Sequence, residues 1–237
     1  MPSWFDDEVS ALEKRTAPRR HQDNLVLCYG SSTFTLWDDM EAHFPGYNVV
    51  NHGFGGSTLE DCLEYFDRLV TPLNPRAVVL YAGDNDLDNG ASPEKVLDMI
   101  ETFIALKRDA LGPDIPLAFV SIKVSRAREH FMHKIGYTNR IAERRLADEP
   151  DVTYVDFTRR LVGRGYAPWA ECFTYDPLHM NEEGYRVLGK TIWEYLDRLD
   201  RETGSLKVRD TGVAPAWMAP AGCANADGTT PSPLSGE

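Results

Sequence analysis

Two adjacent serines follow a short apolar segment near the start of the chain. The segment 24–30 ends in Gly30, and Ser31 and Ser32 come directly after it. An apolar run closed by glycine is typical of a buried strand. A serine in the turn from such a strand to a helix can hold its hydroxyl above the sheet, with helix N–H groups and the helix dipole facing an oxyanion. The same serines would also suit a helix N-cap, and for this segment taken alone capping is the better interpretation.

A carboxylate and a histidine lie three residues apart, ahead of the last helical pattern. They are Asp176 and His179. A carboxylate at this spacing can orient an imidazole and stabilise its charged form, as a general base beside a serine requires. A second pair, His130 and His133, has the helical spacing of two metal ligands, but no third ligand suggests itself. No metal or cofactor is therefore expected.

Two further segments carry groups that can donate hydrogen bonds to a developing negative charge. In the glycine-rich segment 51–58 the candidate is the N–H of Gly56, and in the segment 83–86 it is the side-chain amide of Asn85. A dinucleotide-binding loop is disfavoured, because its glycine pattern would need glycine where Thr58 stands. Tight turns are the alternative interpretation for both segments.

These segments have to be positioned by the elements around them. Short apolar runs alternate along the chain with segments of helical periodicity. Strands that are apolar on both faces and alternate with helices predict a parallel sheet covered by helices on both sides. We therefore predict an α/β fold, a three-layer α/β/α sandwich with about five parallel strands and an active site beyond their carboxyl ends. The predicted strands lie at about 24–30, 49–50, 77–81, 116–120 and 152–155, and the predicted helices at about 4–16, 34–44, 58–70, 92–111, 129–147 and 182–199.

Taken together, the four segments resemble the signature blocks of the SGNH (GDSL-like) hydrolases, in the same order across about 25–200. The resemblance implies a flavodoxin-like sheet with strand order 2-1-3-4-5, and a serine esterase that cleaves carboxylic esters through an acyl-enzyme. It implies a catalytic triad of Ser32, Asp176 and His179, and an oxyanion hole formed by Ser32, Gly56 and Asn85. The segments 29–37, 51–58 and 121–123 resemble a bacterial subgroup with a double serine, in which Ser31 replaces the usual acidic residue and is a minor competitor for the nucleophile role.

The substrate is predicted less sharply than the reaction. The lack of a long lid-like insertion favours short-chain acyl or O-acetyl esters, with lysophospholipids and acyl thioesters as alternatives. A non-catalytic domain that binds carbohydrate or lipid in the same cleft is the competing function. A flavin or nucleotide site is disfavoured, because no phosphate-binding glycine loop follows the first strand.

The candidates for substrate contact are Ser31, Trp37, Phe54, Asp86, Lys123 and Arg126. For the aromatic residues Trp37 and Phe54, packing in the core is the favoured role. For the basic residues Lys123 and Arg126, the favoured role is that of a surface charge.

Composition and charge exclude several classes of partner. The net charge of −12 disfavours nucleic acid and electrostatic docking on anionic membranes. The first residues lack the features of a signal peptide and no run approaches the length of a membrane span, so a cytoplasmic location is expected. We predict one hydrolase domain over 3–203 and a disordered Pro/Ala/Gly/Ser-rich tail over 204–237. The expected partner is a small-molecule ester, and self-association is left open.

Overall fold

Five parallel strands form the centre of the molecule. The computed structural model describes residues 4–20, 22–208 and 211–218. Within them one sheet has the strand order β2-β1-β3-β4-β5, and every neighbouring pair is parallel. The predicted α/β fold and its strand order are therefore confirmed. The strands are β1 (Leu25–Gly30), β2 (Asn48–Gly53), β3 (Ala77–Tyr81), β4 (Leu117–Val120) and β5 (Val152–Val155).

The central strands are apolar because both of their faces are covered. Every residue of β1 and β3 is buried. Successive side chains of a strand point to opposite faces, so Leu27 packs in the core on one side of the sheet and Cys28 in the core on the other. This arrangement explains why these two strands have no alternation of apolar and polar residues.

Helices flank the sheet on both sides. The predicted helix over 34–44 is wrong: a four-residue helix and a separate 3₁₀ turn, Met40–His43, take its place. The predicted helix over 58–70 is divided at Tyr65, which packs in the core and donates its hydroxyl to Asp6, 3.2 Å away. Tertiary packing thus overrides the continuous helical pattern. The helices are α1 (Asp6–Thr16), α2 (Ser32–Thr35), α3 (Leu59–Glu64), α4 (Phe66–Leu69), α5 (Asp84–Asp88), α6 (Pro93–Leu111), α7 (Met132–Leu146), α8 (Thr158–Leu161) and α9 (Glu182–Thr203).

Among the helices of the described ranges, none is both long and apolar enough to cross a bilayer. The longest, α9, is amphipathic: it packs Leu188, Ile192 and Leu196 against the sheet and carries charged residues elsewhere. Its length therefore serves to cover one face of the sheet.

The chain beyond α9 makes contacts with the rest of the protein. Leu206 is buried, the ring of Trp217 packs 5.4 Å from that of Trp193, and Arg186 Nη2 donates to the Trp217 carbonyl at 3.0 Å. Contacts with the folded part thus continue into 204–208 and 211–218, and the domain boundary at 203 and the disordered tail stay predictions. Ser3 and the remainder of the predicted tail, 219–237, lie outside the described residues.

Candidate active site

The serine turn is held tightly against the end of the neighbouring strand. Gly30 has φ +148°, and a Cβ at this position would lie 1.8 Å from the carbonyl oxygen of Tyr81. Because glycine allows this approach, Ser31 N can donate to the same carbonyl at 3.1 Å. Ser32 is the partly exposed first residue of α2. Within the described residues its N–H has no acceptor, so it is free to bind an oxyanion.

The glycine-rich segment lies directly beside this turn. Phe54 N donates to the Gly30 carbonyl at 2.9 Å. Two residues later, exposed Gly56 has φ +79°, a left-handed conformation that favours glycine. In the part of the chain that the structure describes, its N–H also lacks an acceptor. A reciprocal capping box between Thr58 and Asp61 begins α3 and fixes the end of this loop.

Both ends of the Asn85 amide are engaged by the protein. Nδ2 donates to the Ser57 carbonyl at 2.9 Å, and Oδ1 accepts from Arg128 Nη2 at 2.8 Å. A flipped amide would put two donors together at Arg128 and two acceptors together at Ser57, so the orientation is determined. One N–H of the amide is left for a ligand. The residue lies in the first turn of α5, which begins after Gly83 with φ +118°.

The loop before α9 pairs Asp176 with His179. Asp176 Oδ1 accepts from the backbone N–H of Leu178 at 2.9 Å, and its Oδ2 lies 2.5 Å from His179 Nδ1. The Leu178 N–H and the imidazole lower the pKa of Asp176. A carboxylate on Nδ1 requires a proton there and leaves the Nε2 lone pair to act as a base. Asn181 caps α9 by accepting from Gly184 N at 3.1 Å, and so ends the loop.

Hydrogen bonds connect all four predicted segments at the carboxyl edge of the sheet. The serine turn is bonded to Phe54 and to the end of β3, and Asn85 is bonded to Ser57. The histidine loop joins them through Ala127 N, which donates to the Pro177 carbonyl at 3.2 Å, next to Arg128.

Among the described residues no hydrogen bond joins Ser32 Oγ to His179 Nε2. The contact between these two side chains therefore stays a prediction. Catalytic hydrogen bonds are often long or poorly aligned until substrate binds.

A buried charge cluster lies beneath these segments. Lys123 Nζ contacts Asp84 Oδ2 at 2.8 Å and Thr33 Oγ1 at 3.1 Å, and Arg128 Nη1 lies 3.0 Å from the same Asp84 oxygen. Burial by itself would raise the pKa of Asp84, but the two cations outweigh it and lower the pKa. Burial would likewise lower the pKa of Lys123, which Asp84 and Tyr81 raise instead. The cluster therefore stays charged.

The cluster corrects the predicted role of Lys123 and adds a residue that sequence analysis missed. Lys123 is 1% exposed and fully engaged inside the protein, so it is not available to contact substrate. Arg128 was not singled out, because nothing in the pattern distinguishes it from Arg126 two residues earlier. The structure buries Arg128 and exposes Arg126, which stays a candidate for substrate contact.

Burial also removes the other predicted substrate contacts. Trp37 and Phe54 are core residues, and Ser31 Oγ is fully buried. Asp86 accepts from Leu59 N with both carboxylate oxygens, at 3.0 and 3.1 Å, so it holds the start of α3 beside α5. Burial raises the pKa of Asp86 to about 6. These four side chains therefore lie inside the protein and are not available to substrate.

Solved structures of bacterial hydrolases share this fold. A GDSL-like lipase from Bacteroides thetaiotaomicron is 19% identical, with a TM-score of 0.66 over 82% of this chain and 96% of that one. The lipase/acylhydrolase from Enterococcus faecalis is 20% identical, with a TM-score of 0.62 over 74% of this chain and 96% of that one. A variant of an acetyl-xylooligosaccharide esterase from Geobacillus is 13% identical, with a TM-score of 0.55 over 72% and 93%. At these identities the likeness shows the fold alone.

Family membership rests on the sequence itself. No curated protein matches the chain significantly. The profile of the GDSL-like Lipase/Acylhydrolase family, however, matches residues 22–187, a range that contains every segment of the candidate site. An acylhydrolase activity on an ester substrate follows from that family. The chain belongs to the GDSL-like Lipase/Acylhydrolase family.

Proposed function

We propose that the chain is a serine hydrolase of carboxylic esters, with Ser32 as nucleophile and His179 as general base. The supporting observation is the hydrogen-bonded meeting of four segments, distant in sequence, at one edge of the sheet. Among the described residues, the N–H groups of Ser32 and Gly56 and one N–H of Asn85 have no acceptor, which supports a shared role for them as oxyanion donors. A non-catalytic binding domain would not need a group of free N–H donors beside a serine and an Asp–His pair.

In the proposed reaction, Ser32 Oγ attacks the ester carbonyl while His179 Nε2 accepts its proton. The carbonyl oxygen becomes an oxyanion that accepts from the Ser32 and Gly56 N–H groups and the Asn85 amide. Collapse of the tetrahedral intermediate breaks the bond to the alcohol, which takes the proton from His179. Water then attacks the acyl-enzyme with His179 as base, and the acid and free Ser32 are released.

For the substrate, we propose a short acyl group, with an O-acetyl ester as the favoured example. The His179 and Asp176 side chains are 25% and 52% exposed, so the leaving-group side of the site is open to solvent. An open site suits an ester on a bulky, polar alcohol. The Geobacillus relative, an acetyl-xylooligosaccharide esterase, is consistent with this choice. Lysophospholipids and acyl thioesters are the alternative substrates.

A cytoplasmic location stays a prediction from the sequence.

The experiment compares p-nitrophenyl esters from acetate to dodecanoate on wild type, Ser32→Ala and Ser31→Ala. We expect the highest kcat/KM with acetate, a loss of at least about 10³-fold in Ser32→Ala, and substantial activity in Ser31→Ala. Loss confined to Ser31→Ala would move the nucleophile by one residue. No turnover of any ester by wild type would favour the non-catalytic binding domain, and a steep rise with chain length would overturn the short-acyl preference.

A further inference from the structure

We infer that Arg128 is a positioning residue for the reaction: it fixes and polarises the Asn85 amide that faces the oxyanion. This inference rests on the proposed function and extends it to a residue outside the predicted triad and oxyanion hole. Arg128 lies on the 3₁₀ helix Arg126–Phe131, after β4, and its side chain is 7% exposed. It therefore acts from behind Asn85 and does not reach substrate.

Arg128 first sets the orientation of the Asn85 amide. Asn85 has one hydrogen bond from Arg128 at Oδ1 and one to the Ser57 carbonyl from Nδ2. Arg128 carries only donors, so it accepts no contact from the NH₂ end of an amide. Without the guanidinium, the Asn85 amide would lose one of the two contacts that set its direction. The N–H intended for the oxyanion would then spend time pointing elsewhere, which lowers the rate even though the donor is still present.

Arg128 also polarises the Asn85 amide. A charged donor on the amide oxygen draws electron density away from the NH₂ group, so the remaining N–H becomes a stronger donor. Such cooperativity is largest where water is excluded, and the guanidinium is buried. Asp84 and the partly exposed Asp88, at 3.0 and 3.1 Å from the guanidinium nitrogens, hold Arg128 in place and offset its charge. The effect on the oxyanion is therefore transmitted through Asn85.

A double-mutant cycle separates this role from a purely structural one. Arg128→Met is measured alone and together with Asn85→Ala, using p-nitrophenyl acetate. Since removal of a whole oxyanion donor costs about 10²–10³-fold, we expect Arg128→Met alone to lower kcat/KM by about 10- to 100-fold, mostly through kcat. In the Asn85→Ala background the same change should cost less than about 2-fold. Equal losses in both backgrounds would overturn the inference.

Arg108→Met is the matched control. Arg108 is partly buried and, like Arg128, paired with two carboxylates, which are Glu149 and Asp151. These carboxylates lie just before β5, at the amino end of that strand, whereas the candidate site lies at the carboxyl ends of the strands. We expect this variant to lose stability and to keep wild-type kcat and KM. If Arg128→Met does not fold, the cycle is repeated with Arg128→Gln and Arg128→Lys, judged by the same comparison of backgrounds.

A second measurement does not depend on turnover. The rate at which a p-nitrophenyl alkylphosphonate labels Ser32 reports oxyanion stabilisation in one covalent step, and mass spectrometry follows it. Arg128→Met should slow labelling in the wild-type background and leave it unchanged beside Asn85→Ala. If Ser32→Ala keeps full esterase activity, the proposed function fails. If wild type is an esterase that depends on Ser32 but the cycle is additive, the role of Arg128 alone is rejected.

Discussion

Nδ1 of His179 lies 2.5 Å from Oδ2 of Asp176, three residues earlier in the same loop. The carboxylate is held in turn by the Leu178 N–H, so the loop orients its own imidazole. This local arrangement differs from a triad whose carboxylate is buried, because the Asp176 side chain is 52% exposed. Water can therefore take over part of the contact if the carboxylate is lost.

Replacement of the two residues should consequently have unequal effects. We expect His179→Ala to lower kcat by at least about 10³-fold, since it removes the proposed general base. Asp176→Ala should cost roughly tenfold less than His179→Ala, because solvent and the remaining loop still restrict the imidazole. Initial rates on p-nitrophenyl acetate measure both, with the exposed Asp67→Ala as control. Equal losses in the two variants would show that the carboxylate is indispensable despite its exposure.

The family and the sheet could be predicted because their signals are repeated along the chain. β1 and β3 are buried apolar strands, β1 ends in Gly30 and β3 is followed by Gly83, and polar residues that can do chemistry come directly after each glycine. Parallel strands bring their carboxyl ends to one edge, so the meeting of Ser32 with the segment of Asn85 follows from topology. The helix predicted over 34–44 was wrong because apolar spacing alone does not show that β-branched Thr33 and Thr35 and the acidic residues after Trp37 weaken a helix there, and only the short α2 forms.

The buried charges could not be predicted, because burial of a charged residue depends on partners that sequence spacing does not reveal. Arg126 and Arg128 have the same chemistry two positions apart. Arg128 has a non-helical backbone (φ −114°, ψ 19°) within its 3₁₀ turn, and its side chain is directed to Asp84 and Asn85. Lys123 and Asp84 form the same kind of long-range pair. Such pairs became visible only with the tertiary structure.

Asn85 offers a test of the proposed oxyanion hole that leaves the proposed nucleophile and base intact. Asn85→Ala removes the donor, and we expect kcat to fall by about 10²–10³-fold with little change in KM. Asn85→Asp should be at least as damaging, because it places an anion where the donor stood and beside the Ser57 carbonyl. The control is Asn89→Ala, in the exposed residue just after α5. A change in KM alone would assign Asn85 to ground-state binding.

Gly30 should be intolerant of any side chain. Because a Cβ would lie 1.8 Å from the Tyr81 carbonyl oxygen, Gly30→Ala must separate the ends of β1 and β3. We expect a loss of more than about 3 kcal/mol in the free energy of unfolding. Gly90→Ala is the control: its φ is +94°, but an added Cβ meets nothing within 4 Å, so only about 1–2 kcal/mol of backbone strain is expected. Urea unfolding compares them, and equal losses would contradict the steric argument.

His52 should make the protein less stable in mild acid. The side chain is 1% exposed, with Nδ1 2.7 Å from the Leu69 carbonyl and Nε2 2.9 Å from Thr16 Oγ1. The Leu69 contact places a proton on Nδ1, which donates to that carbonyl, and the single hydroxyl proton of Thr16 is shared between His52 Nε2 and the Leu12 carbonyl, 2.8 Å away. Burial lowers the pKa of His52 to about 4. In the unfolded chain the imidazole titrates near its ordinary pKa of about 6.5.

The sign of the effect follows from these two pKa values. Below pH 6.5 the unfolded chain binds a proton that the folded chain does not, so the free energy of unfolding falls as the pH falls towards 4. Between pH 7.5 and pH 5 this one residue should remove about 2 kcal/mol. His52→Gln cannot titrate, so urea unfolding at the two pH values should show a smaller decrease for it than for wild type. His130→Gln, at an exposed site, should keep the wild-type decrease, and an unchanged decrease in His52→Gln would mean that another group causes the acid sensitivity.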